Sequence, residues 1–219
     1  MALQLYFHPF SAYCQKVLIS LYDNGTPFER NVLEGPGSPA DQRLAELWPI
    51  KRWPVLLDGD RAVPEATCIV EYLDLYHPGP VRMIPEDPKA ALETRFMDRF
   101  FDNYIGGPIL QIVFNELRPQ EARDPHGVKQ SRELMDTAYA WLDKTMANRE
   151  WAAGSRYTLA DCSAAPFLFY ADWTHRIPQR YANVHAYRRR LLAYPSFARI
   201  VDEARPYRDL FPLGAPDRD

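Results

Sequence analysis

The stretch HPFSAYCQKVLISL, residues 8–21, brings two chemically able side chains, Ser11 and Cys14, to the start of an apolar periodic run. Cys14, Val17, Leu18 and Leu21 recur at i, i+3, i+4 and i+7, the face of a helix that enters a core. A cysteine on that face is a small buried hydrophobe with an inert thiol. Ser11 lies outside the stripe, just before the periodic residues begin, at the place of a helix N-cap. A helix N-terminus offers unpaired amides and partial positive charge. A hydroxyl there can donate one more hydrogen bond to a sulfur anion. The Ser11–Cys14 spacing is that of a Cys-x-x-Cys redox pair with serine in first place, which removes dithiol–disulfide exchange. Ser11 is therefore the candidate catalytic group, with a plain helix cap as its alternative. Tyr6 lies near the end of the preceding strand, and His8 reads as a strand-end residue.

Other chemistries find no support. There is no GxSxG elbow, no phosphate-binding glycine loop and no Cys/His cluster with metal spacing, so no metal is expected. The five histidines, His8, His77, His126, His175 and His185, are scattered. Thr158 and Asp161 in YTLADCSAAPFLFY have the spacing of a capping box, in which each side chain accepts from the other's backbone amide, so Asp161 reads as structural.

The bulk composition narrows the classes further. The chain has 219 residues and a net charge of −3, which disfavours a nucleic-acid or anionic-membrane binder. The run Arg188-Arg189-Arg190 sits inside a helical pattern and reads as a solvated face. No apolar stretch approaches the roughly 20 residues a spanning helix needs. The three cysteines, Cys14, Cys68 and Cys162, are widely spaced, which argues against a disulfide framework and for a reducing cytoplasm.

The elements that must position Ser11 follow from periodicity. LQLYF at 3–7 alternates as a strand and is followed by the helix from Ser11, which Asn24-Gly25 ends. PFERNVL at 27–33 is a second strand, and a short helix is expected over 39–47. Val55–Leu57 and Ala62-Val63 flank the turn dipeptide Asp58-Gly59. Ile69, Tyr72, Leu73 and Tyr76 share a helix face. Residues 1–77 thus read βαβαββα. Residues 78–88, in the proline-rich HPGPVRMIPEDPKA, are a linker. Beyond it, helical spacing runs over 89–117, 127–148, 159–174, 180–193 and 196–204. Leu134, Ala138, Trp141, Leu142 and Thr145 are expected to share the core face of the second of these. Gly106-Gly107-Pro108 is expected to interrupt the first and open room for a ligand.

A small βαβαββα unit followed by an all-helical half resembles the glutathione transferase superfamily. The residues that carry the resemblance are SAYCQKV, WPVLLDG, PEATCIVEYL, TLAD and YPSFARIVDEARPY, in that order along essentially the whole chain. The resemblance implies an α+β thioredoxin-like domain over 1–77 and an all-α domain over 89–219. It implies a cytoplasmic homodimer that uses glutathione as co-substrate, without a metal, to conjugate small hydrophobic electrophiles. Ser11 matches the activating serine of the serine-type classes, and Tyr6 is the competing hydroxyl because other classes of the family activate glutathione with a tyrosine there. Pro54 matches the family's cis-proline, which makes Trp53 the backbone partner of the cysteinyl group. Lys51 stands where a basic residue meets the glycyl carboxylate. Glu65 and Ala66 match the pair that holds the γ-glutamyl end; Ala66 lacks the usual hydroxyl, which Thr67 or the Ala66 amide is expected to replace. Phe10, Tyr104 and Ile105 are candidate electrophile-pocket residues. Two other readings fit the resemblance: a non-catalytic dimeric scaffold, and a glutathione-dependent isomerase of the zeta type, whose Ser-Ser-Cys site Ala12-Tyr13 breaks.

Overall fold

The computed structural model describes residues 2–219. Its first part is a four-stranded mixed sheet in the order β2-β1-β3-β4, made of β1 (Leu3–Phe7), β2 (Phe28–Val32), β3 (Val55–Asp58) and β4 (Arg61–Pro64). β1 and β2 are parallel, so a crossover must join them, and α1 (Ala12–Asp23) supplies it. β3 runs antiparallel to both β1 and β4, and its hairpin turns at Gly59, whose φ of 58° a residue without Cβ adopts freely. α2 (Pro39–Leu47) and α3 (Ala66–Tyr76) complete a thioredoxin-like unit.

The alternation of β1 decides which side each residue serves. Leu3, Leu5 and Phe7 join the core beneath α1 and α3, whereas Tyr6 points to the other face, among Leu33, Leu44, Val55 and Leu57. α1 packs against α3, α7 (Leu159–Thr174) and α9 (Pro195–Ala204), so every residue from Cys14 to Leu21 is buried. Such a helix is covered almost all round, and its buried polar residues, Gln15, Lys16 and Ser20, must find their partners inside.

The second part is all helical: α4 (Pro88–Phe100), α5 (Gly107–Glu116), α6 (Pro125–Met146), α7, α8 (Ala182–Leu192) and α9, with a one-turn segment of wider π geometry at Phe101–Gly106 between α4 and α5. One core runs through both parts. The helix expected over 89–117 is thus not broken at Gly106-Gly107-Pro108 but widened just before it. Glycine at 106 allows α7 to come close: a Cβ there would lie 2.6 Å from the Phe167 ring.

Two sequence expectations are corrected. The core face of α6 is Ser131, Met135, Ala138, Tyr139, Leu142 and Met146, while Leu134 and Trp141 are 40% and 39% exposed. Two apolar stripes compete on that helix, and the structure buries the one with Tyr139. Arg188 is not on a solvated face either: it is buried, and its Nε donates to the Leu168 carbonyl at 3.2 Å. Thr158 and Asp161 form the capping box of α7. Among the described residues no helix is long and apolar enough to cross a membrane.

Candidate active site

Strand register brings the site together. Tyr6 pairs with Val55, and Val55 with Pro64. The end of β1, the start of β3 and the end of β4 therefore share one edge of the sheet. Three segments leave that edge side by side: His8–Ser11, Trp53-Pro54 and Glu65-Ala66.

Ser11 is the N-cap residue of α1, with extended backbone (φ −96°, ψ 123°), and its side chain makes no capping hydrogen bond. The plain-cap reading thus has no bond to rest on. The turn is tied by its backbone instead: the Ser11 amide donates to the His8 carbonyl at 3.0 Å, and the Phe10 amide donates to His8 Nδ1 at 3.1 Å. Burial lowers the pKa of His8, consistent with a neutral ring serving as turn acceptor. Cys14 is fully buried, and desolvation pushes its thiol up to about 12 although the Ser11 hydroxyl and the His8 amide pull the other way. Tyr6 is also buried, its hydroxyl donates to Gln4 Oε1 at 3.0 Å, and it lies on the far side of the sheet from α1. Of the three candidate groups, only Ser11 sits at the mouth of α1.

The peptide bond between Trp53 and Pro54 is cis, and Trp53 is 42% exposed. Lys51 has a positive φ of 57° and is exposed. Arg52 reaches across to the second part, where its guanidinium lies 6.0 Å from the centre of the Phe114 ring. Glu65 is exposed, also at positive φ (70°), and caps α3 with its carboxylate unused. A non-glycine residue in that conformation is a strained backbone position, and such strain gathers at binding sites. The first amides of α3, beginning with Ala66, face the same edge without helical partners.

Thr67 is placed differently from expectation. Its hydroxyl accepts from Lys16 Nζ at 2.7 Å and donates to Asp98 Oδ2 at 2.9 Å. It belongs to a buried interdomain cluster in which Lys16, fully buried on α1, pairs with Asp98 and with Asp102 at 3.2 Å. Arg99 pairs with both aspartates, and the Ser163 hydroxyl donates to Asp98. Attraction to Lys16 and hydrogen bonds hold the Asp98 carboxyl below its usual range against desolvation, whereas desolvation wins at Asp102. Sequence reasoning missed Lys16; the signal was a lysine in the middle of a helix that both halves cover.

The pocket candidates separate. Phe10 is half-buried and packs edge-on against Tyr170 at 5.3 Å, with Trp173 and Phe211 each at 6.3 Å. Tyr104 is 47% exposed beside Phe100. Ile105 is fully buried in the packed core and lines no opening. Phe114, which faces Arg52, was not anticipated. Among the described residues no group of acidic, cysteine or histidine side chains is placed to hold a metal.

A thioredoxin-like unit with a hydroxyl at its first helix, a cis-proline loop and an acidic residue heading α3 is thus joined to an all-helical half. Residues 5–81 match the family described as "Glutathione S-transferase, N-terminal domain", and residues 122–190 match "Glutathione S-transferase, C-terminal domain". The chain belongs to the glutathione transferase superfamily. It is 26% identical over 213 residues to a probable maleylacetoacetate isomerase of Vibrio cholerae, covering 94% of this chain and 98% of that one. It is 25% identical over 203 residues to a stringent starvation protein A homolog of Coxiella burnetii, covering 91% of each. A solved glutathione S-transferase of Methylobacterium radiotolerans, in complex with glutathione sulfonate, superposes with a TM-score of 0.80 at 26% identity, over 92% of this chain and 95% of that one.

Proposed function

We propose that the protein is a glutathione transferase in which the Ser11 hydroxyl stabilises the thiolate of glutathione at the mouth of α1 for attack on a small hydrophobic electrophile. The observation that carries this reading is that Ser11 combines a side chain free of capping duty with a place on the sheet edge shared by Trp53-Pro54 and Glu65-Ala66. A free thiol has a pKa near 8.5, so only a few per cent is ionised at neutral pH. Each unit by which the site lowers it corresponds to about 1.4 kcal/mol of preference for the anion. A hydrogen bond from Ser11 and the partial positive charge of α1 both act in that direction.

The rest of the tripeptide follows the same edge. The backbone of Trp53 pairs with the cysteinyl unit, Glu65 accepts from the γ-glutamyl ammonium, the Ala66 amide binds its carboxylate, and Lys51 meets the glycyl carboxylate. The electrophile enters between the domains, near Phe10 and the Arg52–Phe114 contact. The working unit is a homodimer.

Conjugation of a chloronitrobenzene substrate by wild type, Ser11→Ala and Cys14→Ala tests the assignment. Ser11→Ala is expected to lose about ten-fold or more, and Cys14→Ala to keep its rate. A dead Cys14→Ala with an active Ser11→Ala reverses the roles. The Vibrio relative gives reason to run a maleyl substrate in parallel. Turnover of that substrate alone replaces transfer by isomerisation, and failure of wild type to be retained on immobilised glutathione leaves the scaffold reading.

A further inference from the structure

The mouth of α3 has backbone amides but lacks a side-chain donor of its own. Ala66 has none to give, and the Thr67 hydroxyl is taken up by Lys16 and Asp98 at 2.7 and 2.9 Å. Another donor lies on the neighbouring helix α1. Tyr13 lies in the first turn of α1, one turn before Lys16 and on the same face. Because Lys16 reaches Thr67, Asp98 and Asp102, Tyr13 is directed toward the residues that precede Thr67 and the turn that carries Asp102. Its ring is fixed edge-on against Phe167 at 5.0 Å, itself buried against Gly106. The charges that bear on its hydroxyl are those of Asp102, Arg99, Glu65 and Asp98, and among the described residues that hydroxyl makes no hydrogen bond.

We propose that the Tyr13 hydroxyl donates to the α-carboxylate of the γ-glutamyl group, in place of the hydroxyl that Ala66 lacks. The inference rests on the glutathione reading above and adds a residue that determines how the γ-glutamyl end is recognised. Burial raises the Tyr13 pKa to about 12, so the group stays a donor at neutral pH.

Calorimetric titration of wild type and Tyr13→Phe with glutathione and with γ-aminobutyryl-cysteinylglycine, which lacks the α-carboxylate, tests it. Tyr13→Phe keeps the ring against Phe167. It is expected to weaken glutathione binding five- to ten-fold, about 1.0–1.4 kcal/mol, and binding of the analogue by less than about two-fold. Ala66→Ser is expected to restore glutathione binding in the Tyr13→Phe background and to add less than about two-fold in wild type. Unchanged binding by Tyr13→Phe, an equal loss for both ligands, or an equal gain from Ala66→Ser in both backgrounds overturns the inference while the glutathione reading stands. Wild type that binds no glutathione overturns that reading itself.

Discussion

Asp161 accepts from the Ala152 amide at 2.8 Å, the Thr158 amide at 2.9 Å and the Tyr187 hydroxyl at 2.6 Å, all inside the protein. Those donors favour the carboxylate, yet desolvation outweighs them and lifts its pKa to about 6. Removing the side chain leaves these three donors and the Thr158 hydroxyl, 3.3 Å from Oδ2, buried without that partner, at about 1–3 kcal/mol each before relaxation. Relief of the carboxylate's own desolvation offsets part of that. Asp161→Ala is therefore expected to lower the melting temperature by roughly 10 °C, with turnover per folded molecule within about three-fold of wild type. A normally melting variant with activity down by two orders of magnitude would make Asp161 a catalytic residue. The capping pair was legible in sequence because both partners lie within one turn. The same locality separated Ser11 from Cys14 by helical period alone. Lys16 was not legible in this way, since Asp98 and Asp102 stand more than eighty positions away and only the fold brings them to it.

Elements were more legible than the faces they bury. The boundaries of α2 and α7 coincide with the periodic runs at 39–47 and 159–174. In α6, however, a stripe through Leu134 and Trp141 and another through Met135, Tyr139 and Met146 both have helical spacing, and a rotation of about one residue exchanges them. The unburied stripe has neighbours on α4: Leu92 is 70% and Phe96 47% exposed, and the Phe96 ring meets Trp141 edge-on at 5.9 Å. Tyr104 is exposed one turn further on, its ring 5.7 Å from that of the buried Phe100. A contiguous apolar surface across two helices is costly to leave in water and is where a second copy would pair in the proposed homodimer. Phe96→Glu places a charge in the middle of it. Sedimentation velocity is expected to show wild type as a dimer and Phe96→Glu as a monomer with an unchanged helical circular dichroism spectrum. A Phe96→Glu protein that sediments as wild type does would place the pairing surface elsewhere.

Across the whole molecule, the buried tyrosines and cysteines lean the same way. Desolvation raises the pKa of Tyr139, Tyr157, Tyr170 and Tyr187, and of Cys14 and Cys162. They lie on α1, α6, α7, α8 and the segment before α7, so they sample both domains and the core between them. In the unfolded chain these groups lose their protons near pH 8.5 for cysteine and 10 for tyrosine. Above those values the folded state holds more protons than the unfolded one, and stability falls as pH rises. The contribution is fully present below about pH 8 and is lost at roughly 1 kcal/mol per tyrosine and 3 per cysteine by about pH 10.5. Six such groups together reach the 5–15 kcal/mol that holds a typical domain folded. Urea midpoints are thus expected to hold steady to about pH 8, decline from about pH 9 and vanish between about pH 10.5 and 11. Tyrosinate absorbance should then appear in two stages, the exposed rings first and the buried ones together with the loss of helical signal. If the full tyrosinate signal developed while the helices stayed intact, these rings would have to reach water in the native state, and the continuous core joining the two domains would be looser than its packing implies.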